Sequence, residues 1–238
     1  MSKERDGLTG MLAAVRSREH AAAAWASAIF AVTGLLDGFL KIQLIQGPLI
    51  GYWAFDVMKW LVLPALLMFA VHRAARVAPR DYGLAADLGA RDILSVMPVP
   101  LFILFLVGWF TGNIANAMLG YPKPPFSNQE MLSVLGPLWI VGTLYFSVTA
   151  GFWESIFLIG LPWLWFSQGR RMPAHSIRIF CLVSALIFAA GHWENGLPNV
   201  ISVFAFQLCA VWWFVRLQTL WPIIGAHTLI DVYYFWPA

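Results

Sequence analysis

Four ionisable side chains in the C-terminal part of the chain are of types that can perform hydrolysis: Glu154, His192, His227 and Asp231. Each lies within an apolar segment or at the end of one, and a charged side chain at bilayer depth costs at least about 2.5 to 3.5 kcal/mol. Such residues therefore need a partner or a function. Imidazole and carboxylate groups together suit a zinc ion that keeps an open position for water. Without a metal, the same groups can activate water by general base catalysis.

The spacing of these residues allows them to meet. A polar loop that ends at Arg178 separates the segments that carry Glu154 and His192. Glu154 lies about twelve residues before this loop, and His192 lies about fourteen residues after it. If the two segments form an antiparallel helical hairpin, the two side chains therefore lie at nearly the same depth. His227 and Asp231 lie four residues apart, on one face of the last helix. We therefore predict one site, in which zinc, if it is bound, has Glu154, His192 and His227 as ligands. Otherwise we expect no cofactor.

Long apolar segments must position this site. Of the 238 residues, 60% are hydrophobic and only 11% are charged, whereas an ordinary soluble domain carries about a quarter charged residues. Apolar blocks of about twenty residues match the helix length that crosses about 30 Å of hydrocarbon. The composition excludes a soluble domain and predicts an all-α, polytopic transmembrane bundle. We expect an integral multi-pass protein of a bacterial-type cell membrane.

The net charge does not indicate a nucleic-acid partner. The formal charge of +3 comes from basic residues in short loops between the apolar blocks. Such residues report orientation by the positive-inside rule. The rule places the polar leader and the basic stretch 73–91 together in the cytoplasm. The lipid bilayer is thus the partner that the composition predicts.

The apolar blocks predict about eight helices and three regions of the chain. The block 131–166 as one straight helix would be about 54 Å long, far more than a bilayer is thick, so we expect it to break near Thr149–Gly151 into two helices. With this break, Arg170 and Arg171 fall outside, against the positive-inside rule, unless one block is re-entrant. The regions are a leader (1–20), N-terminal transmembrane helices (21–130) and a core (131–238).

The first two predicted helices carry four charged residues. Asp37 and Lys41 are four residues apart, and Asp56 and Lys59 are three apart, so each pair shares a helix face. We favour two ion pairs near an interface. The alternative is a polar pathway for an ion or a solute.

At these residues the sequence resembles the CAAX-processing and bacteriocin-processing intramembrane protease family (CPBP, the type II CAAX prenyl endopeptidase-like group). Phe188-Ala-Ala-Gly-His192 matches its Phe-x-x-x-His motif, and His227-Thr-Leu-Ile-Asp231 is similar to its His-x-x-x-Asn motif. Glu154, in the register set by Gly160, corresponds to the first glutamate of its Glu-Glu-x-x-x-Arg motif; the alternative register puts Trp153 at the first position and Glu154 at the second. The resemblance covers about residues 132–236.

The resemblance implies an intramembrane endopeptidase that hydrolyses peptide bonds at or within the bilayer. The implied substrate is a membrane-embedded or prenylated peptide or protein. Glu154 and His192 would activate the hydrolytic water, and His227 and the residue at position 231 would stabilise the oxyanion or take part in metal binding.

Three departures from the family pattern bear on this reading. Ser155 replaces the second glutamate and Ile159 replaces the arginine, so a charge and its counter-charge are lost together. Asp231 replaces asparagine, and because an ionised carboxylate cannot donate a hydrogen bond to an oxyanion, we expect it to orient His227. The alternatives are a catalytically inactive family member that acts as a membrane interaction protein, and a proton- or cation-coupled transporter.

Overall fold

The computed structural model describes residues 18–45, 49–84, 89–120, 132, 135–168 and 172–236. Within these ranges the chain forms seven long helices and contains no β-strand. The predicted all-α fold is confirmed. Most of the leader, the loop 121–130 and the two arginines Arg170 and Arg171 lie outside the described residues.

The helices begin and end close to the predicted apolar blocks. Their bounds are α1, Arg18–Ile45; α2, Leu49–Val57, Met58–Val62 and Leu63–Ala75; α3, Ala90–Val96 and Pro98–Leu119; α4, Trp139–Ser155, Ile156–Gly160 and Leu161–Ser167; α5, Ala174–Ala190; α6, Leu197–Leu217; and α7, Trp221–Phe235. The middle segments of α2 and α4 are π-helical.

Five of these helices, α1 to α4 and α6, are long and apolar enough to cross a membrane, and α5 is a shorter apolar helix. Large hydrophobic side chains such as Phe69, Phe102 and Ile179 are exposed on the outside of the bundle. Lipid would cover them in an integral membrane protein. The π-helical segment Ile156–Gly160 is buried throughout and forms part of the core.

The predicted break near Thr149–Gly151 is wrong. Helical structure continues through this region, and the span Gly136–Ser167 runs for 32 residues. A helix of this length fits a bilayer when it tilts. The described part of the chain has seven long helices, which agrees with the predicted count of about eight.

A proline explains the π-helical turn in α4. The backbone N–H of Leu161 bonds the carbonyl of Ile156, five residues earlier. The next residue, Pro162, has no N–H, and in an α-helix its ring would clash with the carbonyl of Leu158. Ser184 of α5 donates a hydrogen bond of 2.7 Å to that carbonyl. The helix thus stays continuous because a neighbouring helix satisfies the group that proline leaves unbonded.

The continuous α4 also removes the conflict with the positive-inside rule. His20 at the start of α1, Arg76 after α2 and Gln168 after α4 line the same small cavity. These three chain positions therefore lie at one end of the bundle. The loop that carries Arg170 and Arg171 leaves α4 at the end where the basic stretch also lies, as the rule requires.

Helix α2 repeats the pattern of α4. Its π-helical segment Met58–Val62 ends where the N–H of Leu63 bonds the carbonyl of Met58, and Pro64 follows. This segment carries Lys59, which is buried. Single π-helical turns occur frequently at functional sites.

Candidate functional site

A cavity of about 1310 Å³ lies at the centre of the bundle and is lined by residues of all seven helices. The four residues singled out from the sequence all line it: Glu154, His192, His227 and Asp231. The carboxylate comes from α4, His192 from the loop after α5, and the remaining pair from α7. Distant parts of the sequence therefore meet at one cavity, as the spacing argument predicted.

Glu154, His227 and Asp231 form a compact cluster. His227 Nε2 lies 3.6 Å from Glu154 Oε2 and 3.5 Å from Asp231 Oδ2. The side chains are 8%, 11% and 17% exposed for His227, Glu154 and Asp231, respectively. Both distances exceed those of a good hydrogen bond. Asp231 and Glu154 both face Nε2 of His227, so the two carboxylates lie on either side of the position that an Nε2–H would occupy. Asp231 therefore does not hold the opposite ring nitrogen, Nδ1.

His192 is oriented by the end of its own helix. Its Nδ1 lies 2.9 Å from the carbonyl oxygen of Phe188. Since a carbonyl oxygen only accepts hydrogen bonds, Nδ1 carries the hydrogen and donates it. In the neutral ring, the lone pair of Nε2 is then free to accept a proton or a hydrogen bond. His192 and Glu154 line the same cavity.

Two phenylalanine rings pack around the histidines. Phe188 lies 4.6 Å from the His192 ring and 6.1 Å from the His227 ring, and Phe206 lies 4.9 Å from the His227 ring, measured between centroids. These contacts fix the imidazoles and leave an apolar wall beside the carboxylates. Charges on such a wall interact more strongly than they would in water.

The geometry does not favour the predicted zinc site. In the described part of the chain, no group of three or more His, Cys, Asp and Glu side chains is placed to hold a metal ion together. Glu154 approaches His227, but this pair lacks a third ligand at a suitable position, and structural and catalytic zinc sites use at least three protein ligands. Zinc therefore stays a prediction, and no step below depends on it.

The N-terminal helical hairpin contributes a charged group that sequence spacing did not predict. Asp37 Oδ2 lies 2.9 Å from Lys41 Nζ and 2.6 Å from Lys59 Nζ. The expected Asp37–Lys41 pair is present, but Lys59 pairs with Asp37 of the other helix instead of with Asp56. All three side chains of this Asp37 cluster are buried, and all three line the cavity.

Asp56 loses its predicted partner. Both of its carboxylate oxygens, and the hydroxyls of Tyr52 and Tyr145, are buried without a hydrogen-bond partner among the described residues. The three side chains are close enough to interact electrostatically with one another. They form a second polar group behind the Asp37 cluster, away from the lining of the cavity.

Helix α1 is fixed to the loop that carries His192. A Cβ atom at Gly38 would lie 2.9 Å from the Cβ of Glu194, so only glycine permits this approach. The indole N–H of Trp193 donates a 3.0 Å hydrogen bond to the carbonyl of Leu35. Glu194 also lines the cavity, and burial raises the pKa of its carboxyl. Sequence reasoning did not predict Glu194 as a residue of the cavity. The one signal for it in the sequence is its position two residues after His192.

The remaining wall of the cavity is rich in amides. Four of the five asparagines in the sequence line it: Asn113, Asn116, Asn195 and Asn199. A side-chain amide both donates and accepts hydrogen bonds, as a peptide group does. This wall therefore suits an extended polypeptide better than a purely apolar ligand.

Residues 136–233 match a family model described as type II CAAX prenyl endopeptidase Rce1-like. The matched range contains all four predicted site residues and excludes α1, α2 and α3. Comparison with curated proteins and with solved structures finds no match. The resemblance predicted from the three motifs is confirmed for this part of the chain.

Proposed function

We propose that this chain, whose residues 136–233 belong to the Rce1-like family of type II CAAX prenyl endopeptidases, is an intramembrane endopeptidase that cleaves membrane-embedded or prenylated peptides. The observation that carries the proposal is the convergence of Glu154, His192 and His227 on one cavity inside the bundle. A bacterial-type cell membrane is the location that we propose.

Glu154 is the proposed general base. A water molecule between Glu154 and Nε2 of His192 would lose a proton to the carboxylate while its oxygen bonds to the carbonyl carbon of the substrate. The proton would then pass to the amine as the C–N bond breaks. The free lone pair of His192 Nε2, fixed by the Phe188 carbonyl, supports its role in holding this water.

His227 is the proposed donor to the oxyanion. Its Nε2 lies 3.6 Å from Glu154 Oε2 and 3.5 Å from Asp231 Oδ2, too far for good hydrogen bonds, so an N–H there is available to a substrate oxygen. An N–H in this position can stabilise negative charge that develops on the substrate carbonyl oxygen. Asp231 is the proposed positioning residue for His227, because its carboxylate lies near the same ring nitrogen, Nε2, that faces Glu154.

The altered first motif is compatible with this mechanism. Ser155 donates a 2.7 Å hydrogen bond to the carbonyl of Gly151 in its own helix, and Ile159 is buried in the core. Neither side chain is among the residues that line the cavity. The two replacements therefore remove charge from the helix core and leave the water-activating residues in place.

Substitution of the proposed base tests the function. The protein is reconstituted in liposomes with two sets of fluorogenic peptides, one prenylated and one carrying an unmodified transmembrane segment. Glu154→Gln should lower kcat by about a hundredfold to ten thousandfold, the usual contribution of a general base. Glu194→Gln is the matched comparison, because it makes the same change at another carboxylate of the cavity and should lower kcat far less than Glu154→Gln does.

Unchanged cleavage by Glu154→Gln would remove Glu154 from the mechanism. A folded wild-type protein that cleaves neither set of peptides would favour the inactive family member. Metal analysis of the purified protein, with and without His227→Ala, tests the zinc prediction separately. Stoichiometric zinc that is lost in His227→Ala would require a metal in the mechanism.

A further inference from the structure

We propose that Lys59 is a positioning residue of the hydrolytic site, holding the carboxylate of Glu154 in its reactive place by supplying the neighbouring positive charge. This inference rests on the proposed function. It assigns a role to the N-terminal hairpin, which lies outside the part of the chain that matches the family.

Lys59 and Glu154 are far apart in sequence, but the segments that carry them contact each other. The π-helical segment that carries Lys59 packs against α4, which carries Glu154, and both side chains line the cavity. The positive charge of Lys59 is close enough to act on the carboxylate of Glu154. Lys59 is 7% exposed, so water screens its charge little.

The contacts of Lys59 hold its ammonium in one place. Asp37 Oδ2 lies 2.6 Å from Nζ, and the Trp60 ring lies 4.2 Å from it. Trp60 in turn packs on Phe30, which stacks on Phe157 of α4. An ammonium has three N–H donors. Asp37 and the Trp60 face use two of them, which leaves a third that a water between Lys59 and Glu154 can accept.

The charges around the cavity show why a cation is needed here. Among the described residues that line the cavity, Asp37, Glu154, Glu194 and Asp231 contribute four carboxylates, whereas Lys41 and Lys59 are the two lysines and there is no arginine. A buried carboxylate without a counter-charge is strongly disfavoured.

No cation on α4 can provide this counter-charge. The helix has no lysine or arginine within two turns of Glu154, because Ile159 stands where the family motif has arginine. The helical hairpin therefore supplies from another part of the chain the positive charge that the first motif lacks.

The experiment measures kcat and KM separately for three variants in the same liposome assay. Lys59→Met should lower kcat by about tenfold to a hundredfold with a smaller change in KM, as expected for the loss of a unit charge near the base at low effective dielectric. Lys59→Arg keeps the charge and should restore most of kcat. Lys41→Met is the matched control, because Lys41 bonds the same oxygen of Asp37 but is carried by α1, whereas the segment that carries Lys59 packs on the part of α4 that carries Glu154.

The comparison separates a role at the site from a role in folding. If the Asp37 cluster only stabilises the bundle, Lys59→Met and Lys41→Met should lower the Tm and the activity alike, and Lys59→Arg should give no selective recovery of kcat. That result would overturn the inference. Wild-type cleavage by Lys59→Met would overturn it as well, while loss of cleavage in Glu154→Gln would still support the proposed function.

Discussion

Substitution of Gly151 by alanine tests whether the contact between α4 and α7 sets the geometry of the site. Gly151 lies one turn before Glu154, and the facing residue of α7 is Thr228, next to His227. A Cβ at Gly151 would lie 3.0 Å from the backbone nitrogen of Thr228 and 3.2 Å from the carbonyl oxygen of Ile224, and would also collide with Thr228 Oγ1. The hydroxyl can rotate, but the backbone cannot.

The expected effect follows from these distances. Normal contacts of a carbon atom are about 3.5 Å or longer, so α7 must move away from α4 by about half an ångström. That movement lengthens the 3.6 Å contact between His227 Nε2 and Glu154 Oε2. A misplacement of about 1 Å can cost a hundredfold in rate, so we expect Gly151→Ala to lower kcat by about tenfold. Overpacking should also destabilise the protein by about 1–3 kcal/mol.

Gly34→Ala is the matched control. Gly34 also lies in a helix and lines the cavity, but a Cβ there would meet no atom within 4 Å. Alanine in a helix is favoured over glycine by about 0.5–1 kcal/mol, so this variant should be at least as stable as the wild type. Both variants are compared by thermal unfolding in detergent and by cleavage in liposomes. If Gly151→Ala keeps the wild-type kcat and Tm, the packing of α4 on α7 does not set the site.

Two further predictions concern the bundle itself. Ser184→Ala should destabilise the protein by about 1–3 kcal/mol in thermal unfolding, because it leaves the buried Leu158 carbonyl without a donor. Ser155→Ala is the control and should change stability by less than about 0.5 kcal/mol, because the Ser155 hydroxyl bonds a carbonyl within its own helix. Equal losses of stability in the two variants would contradict the role given to Ser184. The second experiment introduces single cysteines into a chain without its two native cysteines and labels them with an impermeant thiol reagent. Cysteines in the leader and in the loop 169–171 should react from one side of the membrane. A cysteine in the loop 121–130 should react from the other side. Labelling of all three from the same side would show that α4 does not cross once.

The helices could be predicted from the sequence because lipid demands long apolar segments. Their bounds follow hydropathy, and the depth of Glu154 and His192 follows from counting residues along two helices. Both kinds of inference use distances along the chain, where the rise of 1.5 Å per residue is nearly constant. This is why the convergence of the site residues was visible before the structure.

The break in α4 was predicted wrongly because the length argument assumed a straight helix along the membrane normal. The chain instead passes through a π-helical turn, and a tilted helix accommodates the additional residues. Leu161-Pro162 and Leu63-Pro64 mark the two turns in the sequence. A proline alone, however, does not tell whether a helix breaks or continues. The outcome depends on a partner such as Ser184, which lies 26 residues after Leu158.

The pairing of Lys59 could not be predicted from spacing for a related reason. Asp56 and Lys59 have the i, i+3 spacing of a helical pair, but the π-helical segment begins between them, at Met58. The altered register places Lys59 against Asp37 of α1. Local rules for ion pairs apply only while the helix stays regular.

The distribution of charge explains why the motifs describe only part of this site. The described residues of the matched range that line the cavity include three carboxylates, Glu154, Glu194 and Asp231, but no lysine or arginine. Motifs record residues at fixed spacing along the chain, whereas counter-charges only need to be close in space. Since a buried carboxylate requires a compensating charge, and the two lysines come from α1 and α2, the hairpin is an electrostatic part of the site. A chain with all four motif residues but an apolar hairpin should therefore keep the motifs and lose the chemistry.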